Sequence, residues 1–129
     1  WVLFGVMNLK IKNNMKLRGK CEEEFEEWAI DKQEIKFKKI LGLFCVCIYG
    51  FWIPFYKLPK SMQYGVFVDF FDSVGIKINI EPSTKEDYFI YLLPRNCVGN
   101  YKIEENRFNT RPEARTAAIE KANELFNKN

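Results

Sequence analysis

Two pairs of charged residues are the first candidates for chemistry. Asp69 and Asp72 lie three apart, a spacing that brings both carboxylates to one face of a helix. Paired acids hold a metal or share a proton only where burial or crowding shifts their pKa values, and these two occupy the polar stripe of an otherwise apolar helix. Arg111 and Arg115 stand at the start of the last predicted helix. All four belong to helix faces or ends expected to be exposed, so they are candidate surface contacts and not catalytic groups. The chain has no histidine, which removes Ser-His-Asp and Cys-His mechanisms and the usual neutral-pH proton shuttle.

The four cysteines, Cys21, Cys45, Cys47 and Cys97, lack the paired C-x-x-C spacing of a zinc site. Reduced, structural thiols are the expectation. No glycine-rich phosphate loop is present, and no nucleophile stands beside an evident base. Glu81 is followed by Pro82 and Ser83, so the acid-spacer-lysine pattern of metal-dependent nucleases fails where it would be sought. The expectation is a protein that is not an enzyme, with no catalytic, cofactor-binding or metal-binding residues.

The element that must position these groups is the stretch Ser61 to Gly75. Pro59 and Ser61 sit where a turn and an N-cap belong, and Gly75 where a residue of positive φ ends a helix. Met62, Val66, Phe67, Phe70, Phe71 and Val74 cover well over half its circumference, leaving only Gly65, Asp69 and Asp72 as a polar stripe. So apolar a helix must be central.

The 129 residues, 47% hydrophobic and 16% aromatic, suit one domain with a real core. The net charge of +3 does not demand a polyanionic partner. Residues 1–19 read as a basic, solvated lead-in: Lys10, Lys12, Lys16 and Arg18 occur with no acid among them, followed by Lys20. The chain begins at Trp1, with Met7 and Met15 as candidate starts, and the apolar Trp1 to Met7 is too short for a signal peptide. The domain is read as 20–129.

It opens with an amphipathic helix from Lys20 to Gln33, docked by Phe25 and Trp28, with glutamates on the other face. Ile40 to Tyr56 carries no charge, with Lys36, Lys38 and Lys39 before it and Lys57 after it. Its length is at the bottom of the range for a bilayer span, with Tyr49, Trp52 and Tyr56 as interfacial aromatics. Pro54, two glycines and the β-branched and aromatic content favour a buried strand or a hairpin turning near Gly50.

After Gly75 the period changes to two. Ile76 to Ile80 alternates, Tyr88 to Leu93 is apolar on both faces, and Tyr101 to Glu104 alternates again as an edge. Short polar turns at Glu81–Asp87 and Pro94–Asn100 make these an antiparallel meander. Thr110-Arg111-Pro112-Glu113 is a capping box with proline at the first helical position, and the alanine-rich stripe to Phe126 makes the last helix, with Asn123, Asn127 and Asn129 marking a fraying end.

The predicted fold class is therefore α+β, a three-stranded antiparallel meander packed by two or three helices in the order α-α-β-β-β-α. The core is expected to hold Phe25, Trp28, Val66, Phe67, Phe70, Phe71, Ile76, Ile78, Ile90, Ile103, Ala118 and Leu125.

From Ser61 onward this order is similar to that of double-stranded RNA-binding domains. Such domains carry a basic cluster at the start of the final helix and a histidine-bearing first loop. Here the cluster is only Arg111 and Arg115, the loop is acidic, and from Pro94 onward seven basic residues face five acidic ones. Nucleic-acid binding is thus an alternative.

The run Leu58 to Ile76, with Phe25-Glu26-Glu27-Trp28 and Arg111 to Ile119, resembles small uncharacterised proteins of bacteriophages and prophages over about two thirds of the chain. The uncharged run departs from their more polar connecting segment. The resemblance implies a cytoplasmic accessory protein and transfers no functional residue. The expected function is a protein-interaction module acting on an unknown protein partner or by self-association, with the edge at Tyr101 to Glu104 open to strand addition. The further alternative is a membrane-associated protein tethered through Ile40 to Tyr56.

Overall fold

The computed structural model describes residues 15–32, 35–83, 87–94 and 102–128. Gln33, the turn 95–100 with Cys97, Tyr101 and Asn129 lie outside the described residues, as do Lys10, Lys12 and the side chain of Ile103. The architecture is α+β, with three helices and two antiparallel three-stranded meanders among the described residues. Helix α1 is Gly19–Lys32; strands β1 Phe37–Ile40, β2 Leu43–Ile48 and β3 Phe51–Pro54 form the first sheet. A 3₁₀ turn, Phe55–Lys57, leads to helix α2, Lys60–Ser73. Strands β4 Ile76–Pro82, β5 Tyr88–Pro94 and β6 Lys102–Phe108 form the second sheet, and helix α3 is Arg111–Lys128.

The meander β4–β5–β6 follows the alternation of its sequence, with β5 in the middle. Gly75 has φ +90° and its N–H reaches the Asp72 carbonyl, which ends α2 as its position suggests. Thr110 caps α3 by accepting from the Glu113 N–H at 3.3 Å. Pro112 falls one residue inside the helix start, where its missing N–H is still no loss. Ser61 does not cap α2; Pro59 holds that place without a side-chain bond. The start is secured instead by Gln63, fully buried, whose Nε2 donates to the Tyr56 and Leu58 carbonyls at 3.2 and 2.8 Å.

The uncharged run forms β2, β3 and the 3₁₀ turn, so neither a single strand nor a helical span describes it. Among the described residues no helix is long and apolar enough to cross a membrane. The pairs Ile40↔Leu43 and Ile48↔Phe51 close two-residue loops, Leu41-Gly42 and Tyr49-Gly50. Both residues of each loop have positive φ, between 50° and 83°, the twist that matches flanking antiparallel strands. The hairpin expected near Gly50 is there, and a second precedes it.

The core is built around Phe25 of α1. Its ring lies 5.0–6.1 Å from those of Trp28, Phe44, Phe55, Phe67 and Phe70, joining the first sheet to α2. Phe67, Phe70, Phe71, Ile76, Ile90 and Ala118 are buried as expected, while Trp28, Val66, Ile78 and Leu125 are partly buried at its margin.

The lead-in requires correction. Met15 and Leu17 are buried, and the Arg18 N–H donates to Asn123 Oδ1 at 3.0 Å. Asn127 accepts from the Cys21 N–H and donates to the Arg18 carbonyl, both at 3.0 Å. Asn123 and Asn127 therefore clasp the first described residues to α3 and do not mark a fraying end. Two amide side chains supply what a strand edge would otherwise offer the backbone.

Candidate functional site: an apolar groove beside α2

The apolar arc of α2 is wider than the core can take. Phe67, Phe70 and Phe71 are buried, but Met62 remains 48% exposed and Val66 and Val68 are half-buried. This surplus faces the end of the first sheet across an open groove of about 880 Å³. One wall is Ile35, Phe37 and the β2 run Val46 to Ile48, continuing to Tyr49; the other is Met62, Gly65, Val66 and Val68. Asp69 is the one charged residue of its lining among the described residues.

Gly65 lies on the helical wall, where a Cβ would meet no atom within 4 Å. A helical glycine costs about 1 kcal/mol relative to alanine, and no neighbour among the described residues requires it. The stripe Gly65–Asp69 thus borders the groove.

The structure separates the four sequence-selected residues. Asp69 and Asp72 are both exposed, and neither is in an ion pair among the described residues; Asp72 does not line the groove. Arg111 lies 5.3 Å over the Tyr88 ring and Arg115 5.3 Å over the Tyr64 ring. Tyr64 lines the groove, so Arg115 braces that wall from behind while Arg111 serves a different place. Burial pushes the Tyr64 hydroxyl pKa up, and the charges of Arg115 and Arg111 partly offset that. A second, smaller cleft of about 620 Å³ lies at the start of α3, between Lys60, Phe108, Pro112 and Glu120.

Cys21 and Cys45 are buried free thiols and Cys47, on the groove, is half-buried. Burial, reinforced by Glu24 and Glu22, pushes the Cys21 thiol up to about 12, which makes it a poor nucleophile. No group of three or more Cys, Asp or Glu is placed to hold a metal ion among the described residues.

Sequence reasoning missed Ile35, Tyr49, Met62 and Val66 as site residues. The signal for Met62 and Val66 was the excess of apolar positions on α2, which reads equally as core; Ile35 and Tyr49 join them only through the fold. Comparison with protein-family models, with curated proteins and with solved structures found no match to this chain.

Proposed function

We propose that the chain is a non-enzymatic interaction module, of the accessory kind the resemblance to bacteriophage proteins suggests, that holds an apolar segment of a partner protein in the groove beside α2. The observation that carries this reading is the groove itself. Its walls are apolar, it is open, and its helical wall keeps a glycine where alanine would stabilise. Exposed apolar surface of this kind marks contact sites. Asp69 at its border complements a basic residue, so the partner segment is an apolar peptide carrying a lysine or arginine. The free thiols Cys21, Cys45 and Cys47 fit a cytoplasmic setting.

A displayed random-peptide library selected on the full chain tests this. The expected binders are apolar with a basic residue, and they lose affinity for Gly65→Phe, which fills the groove, and for Asp69→Lys. Gly65→Ala keeps the fold and gains about 0.5–1 kcal/mol of stability. Selection that yields no binder sensitive to Gly65→Phe rejects the reading.

A further inference from the structure

The first sheet has a second face, and its composition is unusual. Side chains alternate across a strand, and the registers Phe37↔Val46↔Ile53 and Lys38↔Cys45↔Pro54 sort them. Phe37, Phe44 and Val46 turn inward and belong to the core cluster. The outward face carries Lys36, Lys38, Ile40, Leu43, Cys45, Trp52 and Pro54, and Cys45, although buried, lies outside that cluster. An outward sheet face is ordinarily polar. This one is apolar apart from its lysines, and Leu43 is 58% exposed.

The first turn extends it: Leu41 is 99% exposed and holds positive φ, which asparagine or glycine adopts more readily. Charge is equally one-sided. From Ile35 to Val68 the chain has five lysines, Lys36, Lys38, Lys39, Lys57 and Lys60, and no acidic residue. Of 20 basic and 17 acidic residues in all, 15 and 17 are left for the rest of the chain. Lys39, whose side chain alternates inward, pairs with Glu26 of α1 at 2.9 Å.

We propose that the outward face of β1–β2–β3 docks on an anionic lipid bilayer, its aliphatic and aromatic side chains entering the headgroup boundary and Lys36 and Lys38 meeting the lipid phosphates and carboxylates. Interfacial binding needs this pairing of apolar area with basic charge. A second copy fits less well, because two such faces would bring four lysines together with no acid. Nucleic acid also fits less well. Ile40, Leu41 and Leu43 offer bases nothing specific.

Flotation of the full chain with phosphatidylcholine vesicles, with and without phosphatidylserine, tests the proposal. Binding is expected only with phosphatidylserine and weakens as salt is added. Lys36→Glu/Lys38→Glu is expected to weaken it by at least about fivefold per lysine. Leu41→Asn/Leu43→Thr is expected to abolish it with an unlowered melting temperature, and Gly65→Phe to leave it unchanged. Equal binding to both vesicle types, binding to neither, or binding indifferent to the lysine reversals overturns it. So does self-association abolished by Leu43→Lys, or an oligonucleotide that binds this face in place of vesicles.

Discussion

At the scale of single residues, the most instructive group is the Tyr56 hydroxyl. It is buried and has no hydrogen-bond partner among the described residues, and burial raises its pKa, with the charges of Glu22 and Glu26 adding to the effect. A buried polar atom without a partner costs about 1–3 kcal/mol. The ring itself packs edge-on against Phe55 at 5.2 Å and must stay. Tyr56→Phe is therefore expected to raise stability by about 1 kcal/mol, read as a shift in the urea midpoint at constant slope. The neighbouring Phe25 behaves oppositely. Its ring touches both walls of the core, and Phe25→Ala is expected to cost about 3–5 kcal/mol, enough to unfold much of a domain of ordinary stability.

At the scale of elements, legibility followed periodicity. The helix ends at Gly75 and Thr110 could be read from their turn and cap residues, and β4 because it alternates between one buried and one wet side, so the pattern names the face. Strands β2 and β3 could be read only as a hairpin near Gly50 set beside a bilayer span, because a strand apolar on both faces has no alternation to read, and β1 with its turn at Leu41-Gly42 was not read. The same excess concealed the groove: Met62 and Val66 look like core until the other wall is seen to stand apart. Asn123 and Asn127 were hidden for another reason. An amide near a helix end reads as a fraying signal, and only the fold brings it 105 or 106 residues back along the chain, to Arg18 and Cys21. That clasp makes a prediction of its own. Asn123→Ala/Asn127→Ala leaves the Arg18 and Cys21 N–H groups without these partners. It is expected to cost about 1–3 kcal/mol and to open the chain before Cys21 to proteolysis, seen as early clipping while α3 remains intact.

At the scale of the whole molecule, the same clasp connects the start of the described chain to its end and closes the core over Cys21. The sign of the resulting pH dependence follows from proton binding. A raised folded-state pKa means that the native thiol keeps its proton after the unfolded one, with an ordinary value of 9.0, has lost it. Stability from this group is complete below that value and is lost as pH rises through about 12. Tyr56 and Tyr64 are shifted in the same direction by burial, so the three act together in the alkaline range. Stability measured by denaturant titration is expected to fall steadily above pH 9, and Cys21→Ala/Tyr56→Phe is expected to flatten that fall. An independent reading comes from thiol labelling in a Cys97→Ser background at mildly alkaline pH. Cys47, half-buried on the groove, is expected to react first, with Cys21 and Cys45 protected until the fold opens. A Cys21 that labels as fast as Cys47 would mean that the clasp is open in solution, and the alkaline loss of stability would then have to come from the tyrosines alone.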